Sequence, residues 1–343
     1  SGEGTGTIFE RLVIRNGLAS GNFPDNSGGG MYNYNGSSPT LTNCTFEGNS
    51  ADYAGGGMFN DSSSPTLTNC TFTSNSADYG SGMLNSSSSP ILTDCTFTNN
   101  SAVYEGGGMC NYSSSPILTD CTFTNDSAQY YGGGMYNYSS SPILTDCTFT
   151  SNSAQYYGGG MLNYSSSPIL TYCAFTGNSA FDGGGMYNYS SSSTLTDCTF
   201  TGNSAIHNGG GMYNVTFSSP DLTNGTFMNN SAQAGGGMFS DDSSSPTLAD
   251  CFVCDNEPDQ INGVWSDAGG NCVATSCDDC EPPPLPCPGD LDQNGEVDAS
   301  DLGLLIAAWN TDGSIFEGSD INGDGIVSAA DLGLLIGAWG PCP

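Results

Sequence analysis

Apolar and polar residues alternate along most of this chain, in short bursts rather than long runs. Leu92 and Thr93 take opposite sides, Asp94 follows, and then Cys95 and Phe97 share one side while Thr96 takes the other. A period of two is the pattern of a half-buried β-strand. The bursts recur. Methionine stands at Met31, Met58, Met83, Met109, Met135, Met161, Met186, Met212 and Met238, so successive gaps are 27, 25, 26, 26, 26, 25, 26 and 26 residues. Cysteine keeps step at Cys44, Cys70, Cys95, Cys121, Cys147, Cys173 and Cys198; Gly225 takes the next slot and Cys251 resumes the series. Each unit reads close to GGGMYNYSSSPTLTDCTFTGNSA, and an irregular half-unit with Phe9, Leu12 and Ile14 in apolar slots precedes the first.

A period this short cannot hold a pair of packed helices, and nothing in it has helical spacing. Self-similar strips of strand predict a mainly β architecture, a parallel β-helix of nine to ten coils with three short strands per coil. Stacking at about 4.8 Å per coil gives a column on the order of 45 Å tall. The glycine triplet and the Ser-Pro segment fall where turns are needed. One corner slot holds Asn43, Asn69, Asp94, Asp120, Asp146, Asp197, Asn224 and Asp250, with Tyr172 as the exception. Asn and Asp are the non-glycine residues that best tolerate a left-handed bend. A second column (Asn49, Asn75, Asn100, Asn152, Asn178, Asn203 and Asn230, with Asp126 substituting) is expected to turn the chain after the third strand and to hydrogen-bond from rung to rung.

These units resemble the repeats of polymorphic outer-membrane-protein-type surface proteins. The GGG-apolar and FxxN signatures of that family are Gly132-Gly133-Gly134-Met135 and Phe149-Thr150-Ser151-Asn152 here, repeated along residues 28–256. The resemblance implies a right-handed parallel β-helix used in adhesion and surface display. It does not extend to that family's autotransporter barrel, so membrane anchoring is not implied.

Beyond the solenoid and its cap (residues 1–275), a Cys- and Pro-rich linker is expected over 276–288, with Pro282, Pro283, Pro284, Pro286 and Pro288 stiffening it. Residues 289–343 then contain two copies of one motif, DLDQNGEVDASDLGLLIAAW from Asp290 and DINGDGIVSAADLGLLIGAW from Asp320. Loop positions 1, 3, 5, 9 and 12 are Asp290, Asp292, Asn294, Asp298 and Asp301, and in the second copy Asp320, Asn322, Asp324, Ser328 and Asp331. Gly295 and Gly325 occupy the sharp turn at position 6, and Glu296 and Ile326 offer backbone carbonyls at position 7. This is oxygen-ligand spacing for Ca²⁺, and two loops predict two ions. Each loop runs into an i, i+3, i+4, i+7 apolar stripe, Leu302-Leu305-Ile306-Trp309 or Leu332-Leu335-Ile336-Trp339, which predicts a helix. The segment resembles a type I dockerin. That resemblance implies a small α-helical module of paired calcium loops that binds a cohesin-like protein. The positions that set partner choice in the family, often Ser-Thr, are Ala299-Ser300 and Ala329-Ala330 here, so a cellulosomal partner does not carry over and another copy of this chain becomes a candidate. Dockerin ends lie close together, which implies a disulfide clasp between Cys287 and Cys342.

The other cysteines divide into two groups. Cys254, Cys272, Cys277 and Cys280 fall outside the ladder and are expected to form disulfides, with a zinc ribbon as the alternative reading of the CxxC spacings. In the ladder itself, in-register neighbours keep their Cβ atoms near 4.8 Å, wider than the roughly 3.8 Å a disulfide prefers. Those sulfurs are expected to be buried and reduced, filling the core as small apolar groups.

Composition narrows the function. There are 35 acidic residues and 2 basic ones, Arg11 and Arg15, for a formal net charge of -33. Such a chain cannot neutralise a phosphate backbone or an anionic bilayer, so nucleic acid and membrane surfaces are excluded as partners, and no apolar run is long enough to insert. Fifteen cysteines and a start at Ser1 suit a mature, secreted or cell-surface protein. An enzyme is not expected. A lyase needs a strong base beside its substrate, and the only arginines precede the first full coil; a hydrolase needs paired carboxylates, whereas Asp94, Asp120 and Asp146 are repeated corner residues. His207 reads as a solvated loop residue without a partner. Tyr32, Tyr34, Tyr136, Tyr138, Tyr187 and Tyr189 are expected to face outwards from one sheet, where they could stack sugar rings, pack laterally on another column, or merely support each other. Asn-x-Ser/Thr triplets such as Asn137-Tyr138-Ser139 offer glycan acceptors, although so Asn- and Ser-rich a chain produces them by chance. The reading that follows is a secreted, non-catalytic structural subunit of an extracellular fibre or surface assembly, with the calcium module as its joint. The alternatives are a carbohydrate-binding or adhesin module tethered to a cohesin-type scaffold, and a polysaccharide lyase or hydrolase.

Overall fold

The computed structural model describes residues 6–280, 291, 296–311, 319, 321 and 326–341. The chain forms two compact units, Ser1–Cys280 and Glu281–Pro343. The first is a parallel β-solenoid whose coils carry four strands, not three. In one coil these are Met135–Tyr138, Ile143–Thr145, Thr148–Thr150 and Ser153–Ala154. The fourth is only two residues long, too short to leave a period-two signature. Among the described residues the four strand positions stack into sheets of ten, eleven, eleven and eight strands. Register is strict: Met135 pairs with Met161, Leu144 with Leu170, and Phe149 with Phe175.

That register builds the core. The Met, Leu, Cys and Phe columns form one continuous buried cluster from Leu41 to Val253. Phenyl rings stack almost parallel up its centre, Phe123 on Phe149 and Phe149 on Phe175 at 4.7 Å. The columns therefore hold nearly the same side-chain volume at the same slot in each coil, with Gly225 in the cysteine slot and Val253 in the phenylalanine slot as exceptions. At the start of the column Phe9 and Ile14 pack against the cluster, whereas Leu12 is largely exposed.

The corner column behaves as its residue types require. Asp94, Asp120 and Asp146 all have φ between 52° and 53°, and Tyr172 is held at φ 54° in the same slot. The second bend, however, belongs to the residue before each ladder asparagine: Asn99, Asn125 and Ser151 carry the positive φ. The ladder asparagines themselves point inwards and are buried, as is a further column through Asn111, Asn137 and Asn163. The glycine triplet is more than a turn. A methyl group on Gly133 would stand 2.4 Å from the Ser153 carbonyl oxygen, so only glycine lets the chain pass this close to its own coil's fourth strand.

The solenoid ends on a shorter coil whose strands Ile261–Asn262, Ser266–Asp267 and Cys272–Val273 extend three of the sheets, with Trp265 packed against the core. Gln260 closes the amide ladder: its Oε1 accepts from the backbone N–H and Nδ2 of Asn256, at 3.1 and 2.8 Å. Disulfides join Cys254 to Cys277 and Cys272 to Cys280. These bonds exclude the zinc ribbon and draw Cys277 and Cys280, expected in the linker, into the solenoid unit. The ladder cysteines are all free and buried.

Candidate calcium module and aromatic face

The second unit is built on two equivalent helices, α1 (Ala299–Ala307) and α2 (Ala329–Gly337). Each opens with a reciprocal capping box. Asp298 accepts the Ser300 N–H at 2.7 Å, while the Asp301 carboxylate accepts the Asp298 N–H at 2.8 Å. In the second copy Ser328 Oγ accepts the Ala330 N–H at 3.2 Å, and Asp331 accepts the Ser328 N–H at 2.8 Å. A residue with an oxygen at the N-cap and an acid three positions on is a legible helix-start signal, and here it coincides with loop positions 9 and 12. Asp301 also accepts the Leu291 N–H at 2.6 Å, tying the end of its loop to the beginning. Beneath the loops, Val297, Val327, Leu305, Leu335 and Ala308 are buried together. Short strands Glu296–Val297 and Gly340–Pro341 pair antiparallel.

Asp290, Asp292, Asn294, Asp320, Asn322 and Asp324 lie outside the described residues, as do Cys287 and Cys342. The described remainder suits a hard cation. Asp301 and Asp331 are fully buried, and residues 281–343 contain no Lys, Arg or His. Acidic and carbonyl oxygens with no competing basic side chain in the unit form an all-oxygen donor set of the kind that Ca²⁺ takes.

The family of the solenoid follows from the stacking already described. The right-handed β-helix region matches over residues 2–142, 105–227 and 131–279. The chain belongs to the right-handed β-helix family. Its second unit matches the type I dockerin domain over residues 288–338. This β-helix protein therefore carries a dockerin, a module that binds calcium and docks on cohesin-type partners in extracellular and cell-surface proteins. No curated protein matches the chain. Among the described residues no helix is long and apolar enough to cross a membrane.

The tyrosine face of this β-helix differs from the expected open stripe. Tyr136 and Tyr187 are only 6% and 8% exposed, and Tyr32 packs into the same cluster. Tyrosines from the segment before the glycine triplet cover them: Tyr131 lies on Tyr136 at 6.4 Å and Tyr157 on Tyr187 at 4.7 Å, and Tyr79 joins the same cluster. Burial pushes the Tyr136 and Tyr187 phenols well above their ordinary range, and pushes Tyr32 to about 12. Of the other half of the set, Tyr34 and Tyr138 are exposed, while Tyr189 is half-buried and packs against the same cluster. Between the two rows lies a cavity of about 260 Å³ lined by Tyr131, Tyr136, Tyr157, Leu162, Tyr164, Tyr187 and Tyr189.

His207 is not alone. Its Nδ1 lies 3.2 Å from Asp182 Oδ1, and its ring packs on Phe181 at 5.5 Å. Asp182 stands one coil below and also accepts the Asn208 N–H at 2.9 Å. Stacking created this pair from residues 25 apart, a separation that resembles no local motif but equals one repeat. Arg11 and Arg15 are exposed, and Arg15 stands opposite Glu47 in the sheet register.

Proposed function

We propose that this protein is a non-catalytic structural subunit of an extracellular or surface assembly, a rigid solenoid attached through its calcium-loaded dockerin. The observation that carries this reading is the pair of in-phase helices whose caps are loop positions 9 and 12, with Asp301 and Asp331 buried in a unit that has no basic side chain. Two Ca²⁺ ions, one per loop, would be held by Asp290, Asp292, Asn294, Asp298 and Asp301 and by Asp320, Asn322, Asp324, Ser328 and Asp331, with the carbonyls of Glu296 and Ile326. The ions would neutralise the loops and fix the helix pair as a docking surface. A clasp between Cys287 and Cys342 would hold the module's ends. The non-catalytic part of the reading is supported by the fate of the residues that break the repeat. Asp126 and Cys110 are buried, and Tyr172 takes a corner.

Binding of the full chain to a panel of cohesin-type modules, with and without calcium, tests the docking. Calcium-dependent binding that is lost in the D301A/D331A variant is expected; binding indifferent to chelation overturns it. Electron microscopy of native material separates attachment to a scaffold, with single columns, from head-to-tail fibres of this chain.

A second reading, carbohydrate binding on the aromatic face, is favoured by the tyrosine-lined cavity. Its neutral walls and the chain's net charge of -33 suit an uncharged glycan over an acidic one. Glycan-array binding by the monomeric protein, reduced in Tyr164→Ala, is the outcome that would support it.

A further inference from the structure

One rung of the buried amide ladder carries an acid. Elsewhere in this column each asparagine makes the same set of bonds. Asn152 Nδ2 donates upwards to Asn178 Oδ1 at 3.0 Å and to the Phe123 carbonyl of the coil below at 2.9 Å. Asn75 Nδ2 does the same to Asn100 Oδ1 and the Phe46 carbonyl, both at 3.0 Å. Each Oδ1 in turn accepts the backbone N–H and Nδ2 of the asparagine beneath it.

At Asp126 the accepting half of this pattern is intact. Its Oδ1 accepts the Asn100 N–H at 2.8 Å and Asn100 Nδ2 at 2.9 Å, and its own backbone N–H donates to Asn152 Oδ1 at 2.9 Å. The donating half is gone. Asp126 Oδ2 takes the place that Nδ2 has in neighbouring rungs: a methyl group on Gly108 would stand 2.9 Å from it, just as one on Gly134 would stand 3.2 Å from Asn152 Nδ2. The repeat puts two acceptors in front of that place, the Phe97 carbonyl and Asn152 Oδ1. Asp126 is fully buried, and its Oδ2 has no hydrogen-bond partner.

A carboxylate here would aim a charged oxygen at two other acceptors, out of reach of water. A carboxylic acid would aim an O–H at them and restore one of the two lost bonds. We propose that Asp126 folds as a neutral acid whose Oδ2–H replaces the missing amide donor, so that its ionisation loosens this coil as the medium turns alkaline. The groups packed against it are neutral on every side: Asn100 from the coil below, Asn152 from the coil above, Gly108 from the glycine segment, and Phe123 and Thr124 of its own coil. The ionisable groups that share this core are the buried ladder thiols, Cys95, Cys121 and Cys147 among them. Burial raises the Asp126 ionisation to about 8, against the lowering effect of the bonds from Asn100.

The sign follows from the proton count. The folded chain holds a proton that the unfolded chain releases near 3.8. The stabilisation is complete below that pH and is lost progressively as pH rises towards about 8.

Asp126→Asn in the calcium-loaded full chain tests this, because asparagine is what the rungs on either side already carry. Urea unfolding of both proteins between pH 5 and pH 9 should show the variant gaining on the parent, by up to tenfold in the unfolding equilibrium per pH unit below about 8 and levelling above it. An infrared difference spectrum at pH 6 should contain a protonated-carboxyl stretch in the parent that the variant lacks. Cys121 should react faster with a thiol reagent at pH 8.5 in the parent than in the variant. A stability difference that stays constant across the pH range, or a missing carboxyl band at pH 6, overturns the proposal; equal thiol rates overturn the loosening.

Discussion

Tyr157 stacks on Tyr187 at 4.7 Å although the two belong to different columns. The register aligns Tyr157 with Tyr131 and Asp182, and Tyr187 with Leu162 and Tyr213. They meet because Leu162 stands where the rungs on either side hold Tyr136 and Tyr187, and the shorter side chain leaves room for Tyr157 to lean in. The buried tyrosines are therefore structural. Tyr187→Ala should cost roughly 3 kcal/mol in urea unfolding, as large-to-small core changes do. Tyr138→Ala, at a 42% exposed position, should cost less than about 1 kcal/mol. Equal costs at the two positions would mean that the covering segment contributes nothing.

A second departure from the repeat places an acid against the same cluster. Glu105 accepts a hydrogen bond from the Tyr112 hydroxyl and is pushed above the usual carboxylate range by burial, with the tyrosine bond opposing the shift. Its folded value is raised, so its contribution to stability is present at low pH and is lost as pH rises through that value. Glu105→Gln should therefore gain on the parent as pH increases. Tyr112→Phe should cost about 1 kcal/mol at neutral pH by removing the hydrogen bond to this half-buried acceptor. Thermal unfolding of both variants at pH 5 and pH 8 checks the sign.

The terminal coil depends on its disulfides. The Cys254–Cys277 bond spans 23 residues, which corresponds to about 3 kcal/mol of loop-closure stabilisation. Replacing both with serine should raise hydrogen exchange in the last coil around Ile261–Val273 and leave the Met135 coil unchanged. A uniform rise along the column would show that the cap, rather than local stacking, holds the whole solenoid.

The nine cysteines that are free among the described residues should be unreactive in the native protein and fully reactive in denaturant, because all nine are buried. Burial also pushes the thiols of Cys110 and Cys251 upwards, away from the reactive thiolate. Mass-spectrometric counting of alkylated sites measures this directly, and labelling of most ladder sulfurs without denaturant would contradict the packed core.

Calcium removal should act on one unit only. Chelation is expected to abolish the helical circular-dichroism signal of α1 and α2 while the β signal stays within error, since the helices and the solenoid belong to separate compact units. Asp331→Ala should mimic half of that loss by removing both an expected ligand and the α2 capping partner.

The period of the chain was enough to establish the parallel solenoid, its in-register core columns and its left-handed Asp and Asn corners, because a repeat of about 26 residues leaves each side chain facing its own copy. The two helices of the second unit were equally legible, since their apolar stripes and capping residues are local in the chain. Four strands per coil were not, because a two-residue strand such as Ser153–Ala154 has no alternation to read. Nor could the linear chain reveal which outward tyrosines the segment before the glycine triplet would cover, that Asp182 would receive His207, or which of four cysteines would pair. Those outcomes depend on contacts between residues of adjacent coils. Only the stacked structure brings them within range, and it also buries the one acid of the asparagine column completely, because the neighbouring coils close over it.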